Sequence, residues 1–168
     1  MSYATHVKSS QGIVVRCAVI TLSDTRTMDT DTSGKKIVEL LIGAGHLQAD
    51  YRILKDDPLD LEAGLKELLA RTDIDAILTT GGTGVSRRDC TVSVIEKMLE
   101  QPLSGFGELF RQLSYQQIGS GAMLSRAIGG IAKGKLIFAM PGSTAAVELA
   151  MTKLILPEIK HLVHELRK

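Results

Sequence analysis

The chain predicts an α/β fold: a mostly parallel sheet with helices on both faces. Three observations carry this expectation. Short β-branched or aliphatic runs alternate with longer stretches whose apolar residues recur every three or four positions, as strands alternate with amphipathic helices. The runs ending at Leu22, Leu54, Thr80 and Met140 each exit into a polar or glycine-containing loop, and in open α/β sheets ligands bind beyond such carboxyl ends. A Lys133-Gly134 pair separates two strand-like runs and predicts one hairpin, hence an antiparallel strand in the otherwise parallel sheet.

Taken in order, residues 1–12 are polar and aperiodic and read as a flexible arm, followed by a single domain over 13–168. Val14 to Leu22 (VVRCAVITL) is β-branched and predicts the first strand. Thr32 or Ser33 suits the cap of a helix with Ile37, Leu40, Leu41 and Ala44 on one face, and Gly45 suits its end. Leu47 to Leu54 predicts a second strand. Asp57-Pro58 pairs an N-cap with proline at the first helical position, and Leu61, Leu65, Leu68 and Leu69 line the buried side of that helix. Ala76 to Thr80 predicts a third strand. Ser93 and Glu96 have capping-box spacing for a short helix containing Ile95, Met98 and Leu99. A further helix is expected over Gly107 to Gln117, with Phe106, Leu109, Phe110 and Leu113 on one face. The hairpin strands are Ala127 to Ala132 and Lys135 to Met140. A last helical stretch turns Val147, Ala150, Met151, Leu154 and Ile155 inward, is interrupted or restarted at Pro157, and continues through Ile159, Leu162, Val163 and Leu166.

Composition narrows the function classes. At 168 residues the chain can bury a full core without staples. Trp is absent and aromatics make up 4%, which disfavours a stacking platform for single-stranded nucleic acid. With 20 basic and 19 acidic residues, no net field draws the chain to DNA or a membrane surface. Cys17 and Cys90 lack CxxC spacing and read as free thiols. The N-terminus has no apolar signal-like region, and no run approaches the ~20 apolar residues that span a bilayer, so a cytoplasmic protein is expected.

The stretch Thr79-Thr-Gly-Gly-Thr-Gly84 bears most on chemistry. Gly81, Gly82 and Gly84 let a ligand approach bare backbone N–H groups, Thr80 and Thr83 add hydroxyls, and successive N–H groups attract anions. The same sequence also serves as a plain strand-to-helix turn, and it matches neither GxxxxGK[ST] nor GxGxxG. Asp24, Asp56 and Asp89 each follow a strand or sit in its exit loop; magnesium favours one or two carboxylates together with phosphate oxygens. Asp57 is assigned to capping, which leaves Asp56 for the site. Arg87 and Arg88 suit either phosphate compensation or a solvated surface. Pro141-Gly142-Ser143 puts a small polar residue at a helix start, as a cap, an anion contact, or both. His161 and His164 have no acidic or cysteine companions in the sequence pattern that would make a zinc site.

Together LTTGGTGVSRRDCT (78–91), SGFGELFRQLSYQQIG (104–119), AMLSRAIGG (122–130) and LIFAMPGSTAAVELAMTKLILPEI (136–159), with SDTR (23–26) and DTSG (31–34), resemble the MogA/MoaB family of molybdenum cofactor biosynthesis proteins, nearer its MoaB branch. The resemblance spans the chain from about Ile13. It implies a three-layer α/β/α sandwich with a mixed sheet, assembly as a trimer or hexamer, and contacts with other proteins of the pathway. It also implies an activity: transfer of AMP from Mg-ATP to the terminal phosphate of molybdopterin, releasing pyrophosphate. The alternative within the family is a non-catalytic carrier or sensor of molybdopterin or nucleotide. The matching positions give Asp56 and Asp89 as catalytic acids and magnesium ligands. Ser23, Asp24, Thr80, Gly81, Gly82, Thr83, Gly84, Ser125, Arg126, Pro141, Gly142 and Ser143 match the substrate-binding positions. The chain departs from the pattern at Lys55, where active homologues often carry proline.

Overall fold

A computed structural model of the chain describes Ser10 and residues 12–168. The expected arm over 1–12 therefore lies, but for Ser10 and Gly12, outside the described residues. The elements run β1 (Arg16–Leu22), α1 (Thr32–Gly43), β2 (Leu47–Leu54), α2 (Pro58–Ala70), β3 (Ala76–Thr80), α3 (Thr91–Met98), β4 (Gln101–Pro102), α4 (Ser104–Ile118), a 3-10 segment (Gly119–Leu124), β5 (Ile128–Ala132), β6 (Lys135–Met140), α5 (Thr144–Ala150), a π segment (Met151–Ile155) and α6 (Leu156–Leu166). The strands form one sheet in the order β2-β1-β3-β6-β5-β4. β2, β1, β3 and β6 are mutually parallel, and β5 runs antiparallel to both β6 and β4.

Side-chain alternation along the strands builds a core on each face. Cys17, Val19, Leu78, Leu136, Phe138 and Met140 pack with Ile37 and Leu41 of α1, Phe106 and Phe110 of α4, and the C-terminal helical stretch. Ala18, Ile20, Leu22, Ile77, Ile137 and Ala139 pack with Leu61, Leu65, Leu68 and Leu69 of α2 and Val94 and Ile95 of α3. Because both faces are covered, β1, β3 and β6 read as nearly unbroken apolar runs. The expected three-layer sandwich and the hairpin at Lys133-Gly134 (φ +47° and +69°) are both present, and both cysteines are free and buried. No helix among the described residues is long and apolar enough to cross a membrane.

The structure corrects several local expectations. Asp31, not Thr32 or Ser33, caps α1; it is fully buried and its carboxylate accepts from the Gly34 N–H at 2.9 Å and the Tyr51 hydroxyl at 2.6 Å. Helix α3 starts two residues before Ser93, because the Thr91 N–H is anchored on the Gly82 carbonyl; the Ser93 hydroxyl instead donates to the Cys90 carbonyl. On α4 the buried face is Phe106, Phe110 and Ser114, spaced by four, and Leu109 is half exposed. The last helical stretch does restart at Pro157: α5 gives way to the π segment, and α6 begins at Leu156 with the proline in its first turn, where its ring is tolerated. β4 and the 3-10 segment were not legible as elements; the first is only two residues long and pairs by position alone.

Candidate functional site

The four parallel strands end on one edge, and their exit loops meet there. The Ser23 N–H donates to the Leu54 carbonyl at 2.9 Å, joining the loops after β1 and β2. The Gly81 N–H donates to the Met140 carbonyl at 3.1 Å, and the Thr80 hydroxyl to the Pro141 carbonyl at 3.0 Å, joining the loops after β3 and β6. Gly81 and Gly82 have φ of +95° and +64°, which favours glycine. A Cβ on Gly82 would also stand 2.3 Å from the Thr91 hydroxyl and 3.3 Å from Asp56 Oδ1. The glycine loop thus runs directly beside the acid expected from sequence.

A cleft of about 380 Å³ opens at this edge. One wall is Gly81 to Gly84 with Asp89; another is Pro141, Gly142 and Ser143; Ser125 borders it. The opposite side is formed by Phe110, Ser114 and Ile118 of α4 and Leu124 of the 3-10 segment, which sequence reasoning missed as site residues. Their one signal was a serine, Ser114, buried on the otherwise apolar face of α4. A larger groove of about 690 Å³ along Leu103, Phe106, Leu109, Leu154 and Leu162 lies away from the strand-exit loops and is mainly apolar.

The acids occupy distinct positions. Asp24 accepts the Asp56 N–H on Oδ1 at 3.2 Å and pairs with Arg88 through Oδ2 at 2.5 Å. Asp89 Oδ2 accepts the Ser86 N–H at 2.8 Å, which closes its own loop. Asp56 Oδ1 is buried and has no hydrogen-bond partner. Burial, and then the charges of Asp24 and Asp89, push the Asp56 carboxyl above its ordinary range; Arg88 partly offsets them. No group of three or more His, Cys, Asp or Glu side chains among the described residues makes a metal cage. An orphaned carboxylate oxygen flanked by two further acids instead fits a magnesium ion that draws its remaining ligands from phosphate and water.

Other predicted residues take supporting positions. The Ser23 hydroxyl accepts from the Thr25 and Arg26 N–H groups within its own loop. Thr80 and Thr83 are buried. Ser143 caps α5, accepting from the Ala146 N–H at 3.2 Å. Ser125 Oγ is buried without a partner at the cleft. Arg126 lies behind the glycine loop, its guanidinium donating to the carbonyls of Thr83, Gly84 and Asp89.

Residues 18–161 match the family model described as a probable molybdopterin binding domain. The chain is 50% identical over its full length to Molybdenum cofactor biosynthesis protein B of Halalkalibacterium halodurans, covering 99% of that protein. It is 46% identical to the protein of the same name from Bacillus subtilis, again over 100% of this chain and 99% of the relative. A crystal structure of a Molybdenum cofactor biosynthesis protein B superposes with a TM-score of 0.90 at 49% identity, covering 92% of this chain and 97% of that one. The tungsten cofactor synthesizing protein MoaB from Pyrococcus furiosus superposes with a TM-score of 0.83 at 34% identity, covering 92% and 98%. With the family model, the relatives and the superposed structures in agreement, the chain belongs to the MoaB branch of the MogA/MoaB family of molybdenum cofactor biosynthesis proteins.

Proposed function

We propose that the chain adenylylates molybdopterin, using Mg-ATP and releasing pyrophosphate. The observation that carries this reading is the pairing of an unpartnered, buried Asp56 oxygen with a glycine loop at its side. In the reaction, an oxygen of the terminal phosphate of molybdopterin attacks the α-phosphorus of ATP; the bond to the bridging oxygen breaks, and its electron pair leaves with pyrophosphate. The nucleophile is already anionic at neutral pH, so no general base is needed. The obstacle is repulsion between two polyanions, and magnesium, when bound, neutralises triphosphate charge. Asp56 and Asp89 are the residues to hold it. The glycine loop orients phosphates through backbone donors, which lose no side-chain freedom on binding. Phe110, Ile118 and Leu124 offer an apolar wall for a flat ring.

The family also supports a cytoplasmic trimer or hexamer working with other proteins of the pathway. In keeping with assembly, Tyr115, Ile118 and Met123 are 64%, 64% and 79% exposed in the single chain. Light scattering of the purified protein tests the assembly. The decisive assay mixes the protein with molybdopterin, ATP and magnesium and follows pyrophosphate and adenylyl-molybdopterin. Formation of both in equal amounts supports the enzyme. Tight molybdopterin binding with no pyrophosphate overturns it in favour of a carrier or sensor.

A further inference from the structure

The carbonyls of residues 81–84 are all held by two residues, Thr91 and Arg126. Gly81 accepts from the Thr91 hydroxyl at 2.9 Å and Gly82 from the Thr91 N–H at 3.0 Å. Thr83 accepts from Arg126 Nε at 3.3 Å, and Gly84 from Arg126 Nη2. The same Nη2 reaches the Asp89 carbonyl at 3.2 Å. In a trans peptide the N–H of the next residue points opposite to the carbonyl. The N–H groups of Gly82, Thr83, Gly84 and Val85 are therefore directed away from Thr91 and Arg126, and none of them donates to a described residue. A consecutive run of backbone N–H groups without protein partners is a donor site for an anion.

Arg126 is itself unusual. It forms no ion pair among the described residues, and its guanidinium is bonded to main-chain carbonyls alone. Its charge thus stands uncancelled behind the loop, while its fork ties Thr83-Gly84 to Asp89 across the turn. We infer that Arg126 is a positioning residue: it turns the loop's N–H groups outward for a phosphate chain and sets the Asp89 carboxylate beside it, without touching the ligand. This rests on the phosphate-handling reading above and names the device that presents the loop.

The test uses inorganic pyrophosphate as the probe, titrated by calorimetry with magnesium present, into wild type, Arg126→Lys and Arg126→Met. Losing hydrogen bonds from a charged donor predicts about 10-fold or greater weakening for Arg126→Met. Arg126→Lys keeps the charge but not the fork and falls between, about 3-fold weaker. Methylguanidinium added to Arg126→Met restores affinity, which a general loss of packing would not allow. Arg126→Lys provides the comparison should the methionine variant fold poorly. Wild-type affinity in both variants overturns the inference and leaves the proposed reaction standing. Conversely, a wild-type chain whose pyrophosphate affinity falls in both Arg126 variants yet which forms no adenylyl-molybdopterin refutes the reaction and keeps the positioning role.

Discussion

Asp75 and Asp56 stand at opposite ends of the same sheet, and their surroundings are reversed. Asp75 precedes β3 at the amino edge. Its carboxylate accepts the Arg16 N–H and Nε at 2.9 Å each, Arg16 Nη2 at 2.8 Å and Arg167 Nη2 at 2.9 Å. These partners outweigh its burial and hold the carboxyl well below the usual range. Asp56, at the carboxyl edge, has a buried oxygen with no partner and two like-charged neighbours, so its carboxyl is pushed up. A carboxylate whose lone pairs are filled by the chain pins the fold, here joining β1, β3 and the end of α6. One whose lone pairs are left empty destabilises the bare protein and is satisfied only by something from outside. The two edges thus set a filled carboxylate against an unfilled one, a contrast that mutation can test.

The largest expected effect is on turnover at the carboxyl edge. Asp56→Asn and Asp89→Asn should each lower adenylyl transfer by ~10²–10³, the usual loss when a group that offsets transition-state charge is removed. Asparagine at 89 can still accept the Ser86 N–H, so the loop stays closed and the loss reports on charge. Steady-state pyrophosphate release reads the effect; turnover unchanged in a folded variant removes that acid from the mechanism.

At the amino edge the effect moves to stability. Asp75→Ala leaves Arg16 and Arg167 without their acid, and the side chain it deletes is only 9% exposed. Both guanidiniums keep access to water, so the loss falls below that of a fully buried pair, about 2–3 kcal/mol, or roughly 5–10 °C in Tm. Because the native carboxyl sits below its ordinary value of 3.8, the contribution is complete above that pH and fades as pH drops beneath it. Thermal melts from pH 5 down to 2 should therefore show the gap between variant and wild type constant above 3.8 and narrowing below it. A gap that stays constant down to pH 2 would mean that the loss is packing and not charge.

The legibility of the chain follows the same division. β1, β3 and β6 were readable because residues buried on both faces leave continuous apolar runs, and the Asp57-Pro58 start of α2 was readable because cap chemistry is local. The placement of the glycine loop and of Asp56 on one rim was legible from their positions after β3 and β2. What was not legible depends on contacts distant in sequence. Arg126 finds its carbonyls across 37 to 43 residues, and Asp31, which caps α1 through the Gly34 N–H, has its other carboxylate oxygen held by Tyr51, twenty residues on. Phe110 of the cleft wall was read with Phe106, Leu109 and Leu113 as one apolar helix face, since a cleft face and a core face of a helix share one pattern, and Ser114 and Ile118 fell outside that stripe.

The smallest effect is the sharpest for the comparison, because its sign is opposite to intuition. Asp56→Asn should stabilise the bare protein at neutral pH. A carboxyl whose native pKa is raised favours folding only while protonated; its ionisation in the folded state is the costly step, so the penalty appears as pH rises past 3.8 and is complete above the raised native value. The amide replaces that charge with a neutral group of the same shape and relieves its repulsion with Asp24 and Asp89. A gain of about 1–3 °C in Tm at pH 7, vanishing near pH 3, is expected from a partly solvated group. Saturating Mg-ATP should then invert the order, since wild type at 100 times its Kd gains ~2.7 kcal/mol and a weakly binding variant gains less. If Asp56→Asn instead melts lower than wild type at pH 7 without ligand, Asp56 is a structural pin of the Asp75 kind, and the carboxyl edge loses its claim to an open coordination site.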